Sequence, residues 1–108
     1  MTISDFYKNL VEALELPTTY REFSEEESET LETPYCVYFV DEVETLEADN
    51  MVYWSKDILI LEIYTDNKDL ELESKVETFL DENELVYEKG EDHVPQEQLF
   101  IVHYKFSI

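Results

Sequence analysis

Apolar residues recur along this chain with two periods, and the first of them predicts a helix near the start. Four apolar side chains fall on one face of a 3.6-residue repeat, namely Phe6, Leu10, Val11 and Leu14. Ser4 and Asp5 can cap the beginning of this helix, and Pro17 ends the segment.

A second helix is predicted in the later half of the chain, beginning at Asp66 or Asn67 and ending near Asn83. Its apolar stripe has the same period and consists of Leu72, Val76, Phe79 and Leu80.

Runs of β-branched and aromatic residues predict strands elsewhere. They occupy residues 18–23, 35–40, 51–54, 58–65, 85–88 and 99–106. The runs 51–54 and 58–65 are expected to form a hairpin that turns around Ser55 and Lys56. The order is then α-β-β-β-β-α-β-β, which predicts one α+β domain over residues 1–108, with a mixed or mostly antiparallel sheet and two helices on one face.

Both alternating faces of the runs 58–64 and 99–104 are largely apolar, although two helices cover only one face of a sheet. Two interpretations follow. The strands are central and curl so that both faces are partly shielded, or the uncovered face meets another copy of the protein.

Composition adds a strong charge: 28 acidic residues against seven basic ones give a net charge of −21 over 108 residues. Disorder is not expected, because 44% of the residues are hydrophobic and 14% aromatic. The carboxylates must therefore cover a folded surface, which disfavours binding to phosphate backbones and anionic lipid and favours a basic partner or repelled DNA.

The sequence gives little support for known catalytic or cofactor-binding motifs. A single glycine, Gly90, is too few for phosphate-binding loops or a nucleophile elbow, so we expect no enzyme and no cofactor. No metal site is expected either, because Cys36, His93 and His103 share no short spacing. Cys36 is interpreted as an inert core residue and His103 as a structural one.

The absence of a leader-like start and of a long apolar run predicts a soluble, unexported protein that does not engage membranes. One cysteine also fits a reducing compartment.

Three acidic connections are the candidate interaction loops, at residues 22–33, 41–49 and 89–97. The candidate interaction residues in or directly beside these loops are Glu25, Glu26, Glu27, Glu29, Asp41, Glu42, Glu44, Asp49, Asn50, Glu91, Asp92 and His93.

Several phrases in the chain resemble a family of small tail-completion or tail-terminator-like proteins, also described as minor capsid proteins, of siphophages and prophages of Gram-positive bacteria. These phrases are Ser4-Asp5-Phe6-Tyr7, Pro34-Tyr35-x-Val37-Tyr38, Ala48-Asp49-Asn50-x-Val52-Tyr53, Ile63-Tyr64-Thr65-Asp66-x-Lys68-Asp69, Tyr87-Glu88-Lys89 and Tyr104-x-Phe106. The acidic stretch from Glu25 to Glu32 is longer and more charged than the family pattern.

The resemblance implies a tail-terminator-like fold whose copies close into a ring, a hexamer, on the last ring of the tail tube. The implied partners are further copies of the chain, the tail tube protein and the head–tail connector proteins. The implied location is the virion tail or neck, reached after assembly in the bacterial cytoplasm.

An acidic ring would repel DNA that passes through it, which agrees with the absence of tight direct nucleic-acid binding. The competing hypothesis is an acidic DNA mimic that inhibits a host restriction or defence enzyme by placing carboxylates where phosphates would lie. An acidic adaptor elsewhere in the virion is a third class.

Overall fold

Three α-helices and five strands form along the chain in a computed structural model, which describes the backbone of residues 1–108 and every side chain except those of Ala48, Val52 and Tyr53. The helices are α1 (Ile3–Leu14), α2 (Glu25–Thr30) and α3 (Leu70–Glu82). The strands are β1 (Thr18–Tyr20), β2 (Tyr35–Ala48), β3 (Met51–Thr65), β4 (Tyr87–Val94) and β5 (Leu99–Ser107). A single 3₁₀ turn, Pro95–Glu97, joins β4 to β5.

The strands form one mixed sheet in the order β1-β2-β3-β5-β4. β1 pairs with β2 in parallel, and the other three neighbouring pairs are antiparallel. The predicted α+β class is confirmed, with five strands rather than six and with an added helix.

The core lies between the sheet and the two longer helices. Phe6 of α1 stacks near Tyr38, Phe79 and Phe106, with ring centroids 5.7, 5.9 and 5.3 Å apart. Side chains from α1, α3 and alternate positions of β2, β3 and β5 belong to the same buried cluster. We call this side of the sheet the covered face, and it confirms the prediction that α1 and α3 pack on one side.

The helix caps differ from those predicted by a few residues. Thr2 caps α1, and its hydroxyl accepts the Asp5 N–H at 3.0 Å in a capping box. Asp69 caps α3, and its carboxylate accepts the Leu72 N–H at 3.0 Å. In both helices the actual cap is the residue whose side chain reaches the free N–H three positions later.

The predicted hairpin around Ser55 and Lys56 is wrong. Residues 51–65 form one continuous strand, and Ser55 and Lys56 pair with β2 at Thr45 and Glu44. The turn lies instead at Asp49 and Asn50, whose φ angles of 52° and 63° are those of a two-residue type I′ turn.

The other two predicted loops are also largely ordered elements. Ser24 caps α2 through a capping box with Glu27. Three glutamates in the first turn stabilise the helix by interacting with the positive end of its dipole. Residues 89–94 belong to β4, because β5 supplies a full set of backbone partners from Tyr87 to Val94. Of the predicted strand 85–88, residues 85 and 86 precede β4.

Candidate interaction surface

The twelve candidate side chains are all exposed, but the fold does not bring them together. Glu25, Glu26, Glu27 and Glu29 lie on α2; Asp41, Glu42 and Glu44 lie on β2; Asp49 and Asn50 form the turn; and Glu91, Asp92 and His93 lie on β4. β4 is at the sheet edge opposite β1, and Asp92 is in register with Ile101 and Tyr64, at the sheet end away from the turn. Since β2 continues directly into the turn, the candidates form three separate patches, on α2, on β2 with its turn, and on β4.

The most distinctive surface is instead a two-stranded ribbon, residues 42–57, that projects beyond the rest of the sheet. Pairing of β5 with β3 stops at Ile58, opposite Ser107, and β1 stops opposite Tyr38. The ribbon contributes to an elongated shape of 51 × 30 × 26 Å. An isolated two-stranded hairpin is marginally stable in water, so such a projection gains stability from whatever covers it.

Among the described side chains of the ribbon, Leu46, Met51 and Trp54 are apolar and exposed on one side, and we call them the apolar stripe. Leu46 is directly opposite Trp54, and Met51 pairs with the position two residues beyond Leu46, so the three share a face. Their exposed fractions are 48%, 64% and 44%. Lys56 lies over the Trp54 ring, with Nζ 5.9 Å from its centroid.

The sheet side away from α1 and α3, which we call the open face, is also rich in apolar side chains. It carries Tyr35, Val37, Phe39, Ile60, Glu62, Tyr64, Ile101, His103 and Lys105, as the strand registers show. Apart from Val37, which is buried, these side chains are half-buried. They shield one another, which is what the first of the two sequence interpretations describes.

Aromatic stacking organises one end of the open face. The rings of Tyr35 and Tyr64 stack with centroids 4.8 Å apart and an interplanar angle of 12°. Phe23, just before α2, meets Tyr35 edge-on at 5.6 Å. The Tyr64 hydroxyl donates to Glu62 at 3.0 Å, and burial together with that carboxylate raises the pKa of Tyr64.

Gly90 has a specific place on the same face. It is directly opposite His103, and a Cβ at position 90 would lie 2.2 Å from the His103 ring. The imidazole therefore occupies the space that a side chain at position 90 would need, and its Nε2 is 3.5 Å from Asp92. His103 is thus a half-buried residue of the open face, packed against β4 at Gly90.

The apolar stripe continues the open face. The even-numbered positions of β3 stay on one side from Tyr64 down to Trp54, and a bulge at Asp41 of β2 brings Glu42, Glu44 and Leu46 to the same side. Lys105 spans the junction, with Nζ 3.4 Å from Asp41 and 3.9 Å from Glu42.

Electrostatic compensation is concentrated on the opposite side, between α3 and β4. Glu73 accepts hydrogen bonds from both Lys68 and Lys89, and Lys89 also pairs with Glu77 at 2.9 Å. Burial by itself raises the pKa of Glu73, but the two lysines outweigh it and lower the pKa below its ordinary value. Among the described side chains, lysine pairs involve five carboxylates, so most of the surface carboxylates keep their charge uncompensated.

The covered face holds the chain's cysteine. Cys36 is 0% exposed, its Sγ is 2.9 Å from the Thr18 hydroxyl, and burial raises its pKa to about 11. The thiolate is therefore scarce at neutral pH, which confirms the interpretation of Cys36 as a core residue. His93, the other possible metal ligand that lies outside the open face, stacks on the Phe100 ring with centroids 4.2 Å apart.

Within the described part of the chain, no three His, Cys, Asp or Glu residues are arranged to hold a metal ion. Within the same limits, none of the helices has the length and apolar character that crossing a bilayer takes.

Sequence reasoning missed the ribbon and the apolar stripe because it placed a loop at residues 41–49. Two signals could have revealed them. Asp49-Asn50 is a pair that tolerates the left-handed conformation of a type I′ turn, and Leu46 and Trp54 lie nearly symmetrically on either side of it.

The fold and the surface define a class of protein: an acidic α+β domain that presents an apolar sheet face and a projecting ribbon. A scan of protein-family models and a search of curated proteins each return no match to the chain.

Proposed function

We propose that this protein is a structural component of a bacteriophage particle, a tail terminator or tail-completion protein. The observation that carries the proposal is the projecting ribbon, whose apolar stripe continues an apolar open face. Surfaces of this kind on a small domain are typical of proteins that are stable in an assembly. The resemblance of several phrases along the chain to those of tail-completion proteins supports the same function.

In this proposal the protein works by shape and charge. Copies form a ring, a hexamer, that covers the end of the tail tube and offers a different surface to the head connector. A closed ring stops tube growth because its outer surface lacks what a further tube ring would bind. In this proposal the protein is located at the neck of the phage particle.

The net charge of −21 supports a role beside passing DNA. A wall of carboxylates repels phosphate, whereas a basic wall would hold DNA through counterion release and slow its transit. Because most carboxylates of the described chain lie outside the lysine pairs, this repulsive field is not neutralised internally.

A DNA mimic is the second candidate, and the exposed acidic side of α2 favours it. Glu25, Glu26, Glu27 and Glu29 are all exposed on one short helix, so they present several negative charges to a basic cleft. The apolar stripe has no counterpart in this mechanism, which is why termination is preferred.

The test is electron microscopy of phage particles produced with a premature stop in the gene. We expect overlong, headless tails beside DNA-filled heads without tails, and normal particles when the wild-type gene is supplied in trans. Normal particles that fail to infect hosts carrying a restriction or defence system would overturn the proposal and indicate the DNA mimic.

A further inference from the structure

We infer that a small cavity between α3 and the sheet binds one structural water molecule, which donates a hydrogen bond to the Glu73 carboxylate. The site belongs to the fold of the single chain, so it goes beyond the proposed function and does not depend on it. Two observations point to the site: a buried carboxylate oxygen that lacks a donor, and a cavity beside it with polar groups in its wall.

The two oxygens of the Glu73 carboxylate have different surroundings, although the residue as a whole is only 4% exposed. Oε1 meets both lysines of the cluster, with Lys68 Nζ at 3.0 Å and Lys89 Nζ at 2.7 Å. Oε2 is buried, and none of the described groups donates a hydrogen bond to it. Buried polar atoms are nearly always hydrogen-bonded, and an ordered water molecule is the usual partner where the protein supplies none.

Lys68 does not complete the hydrogen bonding of Oε2. Its Nζ is 2.9 Å from Oε2 and 3.0 Å from Oε1, so it is nearly equidistant from the two oxygens and faces the inner side of the carboxylate. Each carboxylate oxygen has two acceptor directions, and the outer one of Oε2 therefore still needs a donor. The same ammonium group also pairs with Glu91.

The cavity lies beside the first turn of α3, where β3 ends and β5 begins. Side chains from α3 and from the covered face of the two strands form its wall, namely Ile63, Thr65, Leu72, Glu73, Phe100 and Val102. The space open to the centre of a water molecule is about 10 Å³. That volume suffices for one water molecule and for nothing larger.

The two lysines indicate which oxygen of Glu73 faces the cavity. Lys68, which is close to Oε2, belongs to the cavity wall, whereas Lys89 approaches Oε1 from β4 and lies outside that wall. Thr65, which is 8% exposed, adds a hydroxyl group that can donate or accept. Together with Oε2 and the Lys68 ammonium, the hydroxyl gives three polar partners, the number that a buried water molecule typically has.

Oxygen-17 relaxation dispersion counts long-lived bound water, and protons that exchange at Thr65 or Lys68 do not affect it. We expect Val102→Ile to lose the signal of one water molecule, because the added methyl group is about as large as water and fills the cavity. Val37→Ile is the matched control, since Val37 is buried on the open face, on the other side of the sheet. Its count should equal that of the wild type at every temperature measured.

Thermal unfolding at pH 7 tests the hydrogen bond to Glu73. Filling a dry cavity raises the unfolding temperature, whereas displacing this water leaves a buried carboxylate oxygen without a donor. We therefore expect Val102→Ile to lower the unfolding temperature by about 4 °C. Should this variant not fold, Leu72→Met fills the same cavity at nearly constant side-chain volume and is expected to lose the same water signal.

A double-mutant comparison separates the lost hydrogen bond from steric strain. Glu73→Met removes the acceptor, so Val102→Ile should no longer lower the unfolding temperature in that background. Strain from the added methyl group would lower it equally in both backgrounds. A crystal structure of the wild-type protein should place the water about 2.5–3.0 Å from Glu73 Oε2.

The water site is disproved if the wild type and the variant with the filled cavity retain the same number of long-lived waters at every temperature. It is equally disproved if Val102→Ile changes the unfolding temperature by the same amount with and without the Glu73 carboxylate. A crystal structure in which the Lys68 ammonium itself donates to Oε2, with no water in the cavity, would also overturn it.

Discussion

Glu73 is 4% exposed, and among the described residues it is the one carboxylate that the fold buries. Its charge is retained because Lys68 and Lys89 approach it from two sides, and Lys89 comes within 2.7 Å. Tyr104 and Tyr87 donate to the neighbouring Glu77, so the cluster ties α3 to β4 and β5. A chain with seven basic residues commits two of them to this cluster.

Replacement of Glu73 by glutamine should lower the free energy of unfolding by about 2 kcal/mol at pH 7, since it removes the negative partner of two charged hydrogen bonds. The folded-state pKa of Glu73 lies below its ordinary value of 4.5, so its contribution is present above that pH and is lost as pH falls through the folded pKa. Urea unfolding of wild type and variant at pH 7 and near pH 3.5 should show the difference shrinking on the acid side.

Glu71→Gln on the same helix is the matched control, because Glu71 is exposed and its replacement should change stability by less than about 0.5 kcal/mol. An equal loss for Glu73→Gln at both pH values would contradict the charge-based account and leave packing as the cause.

At the scale of single elements, the type I′ turn decides where the ribbon ends, and a register shift beside it decides which side chains share a face. Asp49 and Asn50 both have positive φ, which asparagine and aspartate tolerate better than most residues and glycine tolerates best. The turn sets Ala48 opposite Met51 and Glu47 opposite Val52, and a register shift between Leu46 and Glu47 then places Leu46 opposite Trp54, which creates the apolar stripe.

Substitution of glycine for Asn50 should stabilise the ribbon by about 0.5 kcal/mol, since the left-handed conformation then carries no Cβ penalty. Amide hydrogen exchange measured by NMR should slow about twofold for residues 44–46 and 54–56. Amides at 59–63, in the centre of the sheet, serve as the internal reference and should not change. Valine at position 50 should speed exchange in the ribbon, and unchanged exchange in both variants would show that the turn does not limit ribbon opening.

Over the whole molecule, electrostatic repulsion opposes folding. Twenty-one net negative charges lie on a body of 51 × 30 × 26 Å, so at low ionic strength many carboxylates lie within one Debye length, about 30 Å at 0.01 M salt. The same repulsion opposes association between copies. Salt concentration is therefore expected to affect both folding and association.

Raising NaCl from 10 to 500 mM should increase the unfolding temperature by at least about 5 °C, the equivalent of about 1 kcal/mol for a domain of this size. The experiment uses micromolar protein at two concentrations, so that stabilisation by association is recognised as concentration dependence. MgCl2 at matched ionic strength is expected to give the same midpoint, and a higher midpoint in MgCl2 would indicate specific cation binding by the carboxylates.

Much of the fold could be predicted from the sequence because local periodicity fixes it. The apolar spacing in α1 and α3 sets the element type and the buried side, the apolar run of β5 sets the element type, and the structure keeps Phe6 and Val76 in the core. The interaction surface could not be predicted in the same way. An acidic segment such as residues 41–48 has the composition of a loop, and it becomes a strand because β3 supplies its backbone partners.

The sequence by itself therefore determined the α+β class, the two packing helices, the buried cysteine and the acidic surface, since each depends on residue type or short-range spacing. Tertiary structure alone decided that residues 41–48 extend β2, that β4 extends to Val94, and that Leu46, Met51 and Trp54 share one exposed face. Strand length and register depend on hydrogen bonds between residues that are distant along the chain, and such pairings leave little trace in local composition.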